Sequence, residues 1–130
     1  MVLKSKLQIL VVDDSITNVV LLNAVLSEEG YKVQTAFNVP DALKLIASEK
    51  PDLVLLDLNI PLVSGIEMVK NMKSDDTMKN IPVIIVTGYG DQNKQKMLYS
   101  FGIHDYIEKP IDIDILLAKI NTIFKPVQAC

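Results

Sequence analysis

Five positions carry groups that could act together: the carboxylates of Asp13, Asp14 and Asp57, the hydroxyl of Thr87 and the ammonium of Lys109. Each follows or closes a run that reads as a strand. Leu7–Val12 leads into Asp13-Asp14, Leu53–Leu56 into Asp57, Pro82–Val86 into Thr87, and Ile103–Ile107 into Glu108-Lys109-Pro110. Three close carboxylates repel one another unless a cation or proton intervenes. A hard divalent ion with oxygen ligands meets that need, and Mg²⁺, which keeps several waters and binds phosphate oxygens, is the natural candidate. A carboxylate can itself be the nucleophile and form an aspartyl phosphate. The ion would neutralise charge on the transferred group. Lys109 would pair with one phosphoryl oxygen and Thr87 would donate to another, so the set is that of a phosphoryl-accepting site.

Each residue alone also has a plainer reading. Asp13-Asp14 fits a helix cap and its neighbour, Asp57 a turn residue, Thr87 a strand end, Lys109 a solvated lysine and Pro110 a stop signal. The conjunction favours chemistry, because four separate strand ends each deliver a residue type that one reaction needs.

The elements must bring those ends together. Leu53–Asp57 is apolar on both faces, as a central parallel strand covered by helices is. Leu7–Val12, Tyr31–Ala36, Pro82–Thr87 and Ile103–Ile107 read as four more strands. Between them lie helical patterns. One runs over roughly 16–29, with Ser15 or Asp14 as cap, an apolar face of Ile16, Val19, Val20 and Leu26, and a stop at Gly30. A second carries Val39, Ala42, Leu43 and Ile46, with Pro40 in its first turn, and ends before Pro51. A third follows Gly65 with Ile66, Val69 and Met72, and Ser74–Asn80 is a loop. A fourth ends near Phe101 with Met97, Leu98 and Phe101 on one side. The last, from about Asp112 to Phe124, bears Ile113, Leu116, Leu117, Ile120 and Phe124. Five strand-helix units with short connections predict an α/β fold with a parallel sheet, right-handed crossovers and helices on both faces. All the strands then end on one edge, where open α/β sheets bind ligands.

Composition sets the bounds. The chain has 130 residues, 49% of them hydrophobic, which fits a single domain over 1–130 with its core at about 7–124. The net charge of −3 and the lack of a Lys/Arg run predict no direct nucleic-acid binding. No apolar run nears the ~20 residues of a membrane helix, and Leu7–Val12 runs into Asp13-Asp14 without a cleavage site, so neither a membrane span nor a signal peptide is expected. The single cysteine, Cys130, can form no internal disulfide. A cytoplasmic protein is the default reading.

The ordered set Asp13-Asp14, Asp57, Pro61, Gly65, Thr87, Tyr106 and Lys109-Pro110 closely resembles that of the receiver domain of two-component response regulators over roughly residues 7–124. The segments Leu56–Pro61 and Asp105–Pro110 are especially typical. The resemblance implies a flavodoxin-like (βα)5 three-layer sandwich with strand order 2-1-3-4-5. It implies that Asp57 accepts a phosphoryl group from a phosphohistidine on a histidine kinase or histidine phosphotransfer protein. Asp14, Asp57 and the backbone carbonyl of Asn59 would ligate Mg²⁺, with Asp13 acting mainly through water. Lys109 and Thr87 would contact the phosphoryl group, and Tyr106 would move inward with Thr87. That switch would remodel the surface of the fourth helix, fifth strand and fifth helix for a downstream protein or output domain, with the chain a monomer or a phosphorylation-linked dimer through that face. Such a module catalyses its own phosphorylation and dephosphorylation and turns over no separate substrate. Gly88 stands where the family usually has Ala, Ile103 where a small residue is usual, and Asn59 and Tyr89 at positions that vary and tune rates. His104, the only histidine, reads as a surface residue rather than a phosphodonor.

Three other readings compete. A phosphohydrolase with an aspartyl nucleophile would carry an acid at position 59, where this chain has Asn, and a cap segment to exclude water. A flavin or nucleotide binder would want a phosphate-binding loop after the first strand, where Asp13-Asp14 would repel phosphate. A docking-only, degenerate receiver would not need the complete acidic set.

Overall fold

The structure is a computed structural model and describes residues 6–60, 64–88 and 92–124. The expectations placed on Pro61, Tyr89, Cys130 and the last residues from 125 onward lie outside these. Strands and helices alternate along the chain: β1 (Gln8–Val12), α1 (Ile16–Glu28), β2 (Lys32–Ala36), α2 (Val39–Glu49), β3 (Leu53–Leu56), α3 (Gly65–Lys73), β4 (Val83–Thr87), α4 (Gln92–Phe101), β5 (Asp105–Glu108) and α5 (Ile113–Phe124). The sheet order is β2-β1-β3-β4-β5, and every pairing is parallel. This is the flavodoxin-like three-layer sandwich. The order reverses direction at β1 and β3, which opens a crevice beyond their carboxyl ends.

Side chains along a strand alternate between faces, so each central strand feeds two cores. Leu10, Val12, Val54, Leu56, Val83, Ile85 and Tyr106 pack under α2, α3 and α4 with Ile46, Met68, Met72 and Leu98. Ile9, Val11, Leu53, Leu55, Ile84, Val86 and Ile107 pack under α1 and α5 with Leu22, Leu26, Leu116 and Ile120. Burial on both faces explains why β1, β3 and β4 read as unbroken apolar runs.

The helix starts follow capping chemistry. Ser15, Asn38 and Ser64 each accept the backbone N–H three residues on, and Asp112 Oδ1 accepts from Ile115 N at 3.2 Å, which satisfies donors that the first turn leaves free. α2 ends at Lys50 in a left-handed conformation with φ 48°, directly before Pro51, which cannot continue a helix.

Several expectations need correction. In α1 the buried residues are Val19, Leu22 and Leu26, whereas Ile16 and Val20 are 70% and 61% exposed. β5 starts at Asp105, two residues later than expected. Its pairing with β4 begins at Ile84 opposite Asp105, while Ile103 is buried as part of the approach. β3 closes at Leu56, leaving Asp57 just past the strand, and β2 starts at Lys32 rather than Tyr31.

Candidate functional site

Backbone hydrogen bonds fix the positions of the site residues before their side chains meet. Asp13 N donates to Ala36 O at 3.1 Å, Asp57 N to Val12 O at 2.9 Å and Lys109 N to Thr87 O at 2.9 Å. Each residue therefore continues the sheet register by one step, and Asp13, Asp57 and Lys109 converge from three strand ends. The peptide bond between Lys109 and Pro110 is cis. Gly65 brings α3 against this edge. A Cβ there would lie 2.8 Å from Leu58 Cα and 2.9 Å from Asp57 O, so only glycine permits the approach.

Asp13 and Asp57 are buried and Asp14 is exposed. Asp13 Oδ1 accepts from Ser15 N at 2.9 Å, and its Oδ2 accepts from Lys109 Nζ at 3.0 Å and from the Asn18 side-chain amide at 3.4 Å. Asp57 Oδ1 accepts from Asn59 N at 3.0 Å and Oδ2 from Lys109 Nζ at 2.9 Å. One ammonium is thus shared between two buried carboxylates. Burial alone would lower the Lys109 pKa, but the hydrogen bonds to Asp57 and Asp13 outweigh it and hold the ammonium above its ordinary 10.5.

A ligand oxygen from each of Asp13, Asp14 and Asp57 can be chosen so that all lie within 4.8 Å of one another. Three carboxylates against one ammonium leave two charges unbalanced, the charge of one divalent ion. The donors are all hard oxygens, and Asp14 faces solvent, where a hydrated ion can enter. The residues present therefore fit Mg²⁺. Thr87 is fully buried, and its Oγ1 has no hydrogen-bond partner among the described residues. Such a group is costly to bury unless something satisfies it. Tyr106 is 8% exposed and packs with Ile85, Leu98 and Ile103. Asn59 and His104 are exposed.

Two features escaped the sequence. The Asn18 contact depends on where α1 begins, and the only available signal was that helix start. Beside the acidic cluster lies a cleft of about 450 Å³ lined by Asp14, Ile16, Phe37 and Asn38, where Ile16 and Phe37 leave apolar surface exposed. The first helix is apolar nearly throughout, so its spacing carried no signal for this exposed surface.

The fold and this strand-end cluster are those of a signalling module. The family model described as the response regulator receiver domain matches residues 9–121, and the chain belongs to that family. It is 44% identical over 107 residues to sporulation initiation phosphotransferase F of Bacillus subtilis, covering 82% of this chain and 85% of that one. It is 37% identical over 116 residues, 89% of this chain, to response regulator PleD of Caulobacter vibrioides, of which it spans only 26%. A crystal structure of a two-component response regulator from Clostridium difficile superposes with a TM-score of 0.87 at 26% identity, covering 92% of this chain and 97% of that one. Among the described residues no helix is long and apolar enough to cross a membrane.

Proposed function

We propose that residues 7–124 form a cytoplasmic phosphoacceptor whose Asp57 takes a phosphoryl group from a phosphohistidine on a histidine kinase or histidine phosphotransfer protein. The observation that carries this reading is the Lys109 ammonium held at 3.0 Å from Asp13 Oδ2 and 2.9 Å from Asp57 Oδ2, beside an open Asp14. The kinship with a protein named a phosphotransferase supports it.

A carboxylate oxygen of Asp57 attacks phosphorus, the P–N bond breaks, and its electron pair leaves with the donor imidazole. Asp14, Asp57 and the Asn59 carbonyl, with Asp13 mainly through water, would hold Mg²⁺, which would supply neutralising charge for the phosphoryl oxygens. The Asn59 N–H holds one Asp57 oxygen in place. Lys109 already touches the other, so it needs only a short movement to meet a phosphoryl oxygen. The unpartnered Thr87 hydroxyl is the donor for another. The added charge of about −1.5 to −2 then biases the Thr87–Tyr106 pair, and because Tyr106 is already inside, Thr87 is the part with most left to gain. The bias reaches the face of α4, β5 and α5, where Tyr99 and Ile115 are exposed, for a downstream protein, an output domain or a second copy. The donor protein docks over Ile16 and Phe37, the apolar surface next to the acidic cluster.

The test is intact mass after incubation with acetyl phosphate, with and without Mg²⁺, for the wild type and Asp57→Asn. One phosphoryl adduct that requires both Mg²⁺ and Asp57 is expected. An adduct that persists in Asp57→Asn would assign the acceptor elsewhere. Failure with acetyl phosphate and with phosphorylated kinase domains alike would leave a docking-only module.

A further inference from the structure

We propose that Asn18 is a positioning residue for the site: its neutral amide keeps the Asp13 carboxylate aimed into the ligand set, beside Lys109 in the resting site and without it once Lys109 turns to the phosphoryl group. This rests on the phosphoacceptor reading above. Asp13 Oδ2 has two side-chain donors among the described residues, Lys109 Nζ at 3.0 Å and Asn18 Nδ2 at 3.4 Å. The carboxylate is 3% exposed, so little solvent is at hand to replace either. A phosphoryl group on Asp57 draws the ammonium toward itself, since Lys109 Nζ already sits 2.9 Å from Asp57 Oδ2. Asn18 then remains as the side-chain donor on that Asp13 oxygen.

The amide suits the task because it carries no charge. A cation at position 18 would satisfy Asp13 equally well but would repel the divalent ion that the three carboxylates can hold. An amide donates without competing. Asn18 is also well anchored, since its own backbone N–H donates to the Ser15 cap at 3.3 Å, and Ser15 N in turn holds the other Asp13 oxygen. The first turn of α1 and the Asp13 carboxylate thus form one hydrogen-bonded unit. Partners of this kind, which touch a ligand rather than the ion, typically change metal affinity by about 10–100-fold when removed. The contact is long, so an effect near tenfold is expected.

The experiment titrates MgCl₂ into the wild type, Asn18→Ala and Asn18→Gln, following the backbone amide signals of Asp14 and Asn59 by NMR, with metal-free melting curves alongside. Alanine is a good helix former and the backbone bond to Ser15 stays, so the metal-free melting temperature of Asn18→Ala should match the wild type. Its Mg²⁺ Kd should rise about tenfold, and Asn18→Gln, which keeps the amide, should recover much of that loss. If Asn18→Ala binds Mg²⁺ within about twofold of the wild type, or if its affinity falls only together with its metal-free stability and Gln restores neither, Asn18 is a packing residue and the inference fails. Absence of Mg²⁺ binding in the wild type would overturn the phosphoacceptor reading itself and this inference with it.

Discussion

Two partly buried lysines sit at opposite ends of the sheet, and each bridges two oxygens. Lys109 lies past the carboxyl end of β5 between the carboxylates of Asp13 and Asp57. Lys73 ends α3 near the entrance to β4, where its Nζ donates to Lys79 O at 3.0 Å and Ile81 O at 3.1 Å, and its stem lies beside Gly102. The geometry is similar, yet the pKa of Lys109 is raised and that of Lys73 is lowered by burial. Carbonyl dipoles satisfy the protons of an ammonium but do not repay its desolvation, whereas two carboxylates do. Lys73 thus ties down a loop, while Lys109 neutralises a site in which another cation could take over part of its role.

The comparison breaks most directly at Lys109. Lys109→Ala removes the ammonium and leaves two buried carboxylates side by side. Without metal the variant should lose about 1–3 kcal/mol, the cost of buried polar groups left unpaired, at the low end if water enters the site. Its affinity for Mg²⁺ should rise, because the ion now faces three carboxylates with no internal rival. Phosphorylation by acetyl phosphate should nonetheless slow at least about 100-fold, the scale of losing one donor to developing charge. Melting curves with and without MgCl₂, read beside adduct formation, check all three, and weaker Mg²⁺ binding in the variant would refute the view of Lys109 as a competing cation.

Gly65→Ala disturbs the same end of the molecule without touching a charge. The new Cβ would press on Leu58 Cα at 2.8 Å and Asp57 O at 2.9 Å, both backbone atoms that can yield only by moving the segment that carries Asp57. A loss of about 1–3 kcal/mol is expected, as for overpacking elsewhere, together with slower phosphorylation at saturating Mg²⁺. Unchanged stability would mean that the Asp57–Leu58 segment yields freely.

Lys73→Met is the counterpart at the other end. Methionine keeps the apolar stem but leaves Lys79 O and Ile81 O without their donor. Chemical denaturation should report a loss of about 1–2 kcal/mol, since both carbonyls lie near solvent. The rate of phosphorylation and the Mg²⁺ affinity should be those of the wild type. A change in either would mean that the two ends of the sheet are coupled.

These residues also mark what could be read from the chain. The topology was legible because β1, β3 and β4 are apolar on both faces and separated by helical patterns, and a parallel sheet then places residues 13, 57, 87 and 109 at one edge. The exposed side of α1 was not legible. From Ile16 to Leu26 the helix is apolar nearly throughout, so spacing alone cannot distinguish the buried Val19, Leu22 and Leu26 from the exposed Ile16 and Val20. The onset of β5 was misjudged because Ile103 is buried without being a strand residue. Lys73 gave no signal because its partners are backbone carbonyls, which every residue possesses. Asn18 reaches Asp13 only because Ser15, rather than Asp14, caps α1.

The smallest effect, and the sharpest view of the two lysines, is in their pH dependence. The folded-state pKa of Lys109 lies above 10.5. Its stabilisation is therefore complete below 10.5 and is lost as pH rises through the folded value. The folded-state pKa of Lys73 lies below 10.5. Between that value and 10.5 the unfolded chain binds the proton more tightly, so the contribution of Lys73 grows as pH rises through this window. Melting temperatures of the wild type, Lys109→Ala and Lys73→Met in metal-free buffer, from about pH 8 to about pH 11, isolate the two contributions, because other groups titrating in this range, Tyr31 and Tyr99 among them, largely cancel in the differences. The advantage of the wild type over Lys73→Met should widen toward pH 10.5, and its advantage over Lys109→Ala should shrink above that point. If both differences move in the same direction, the carbonyl and carboxylate settings do not act oppositely on a buried ammonium in this protein.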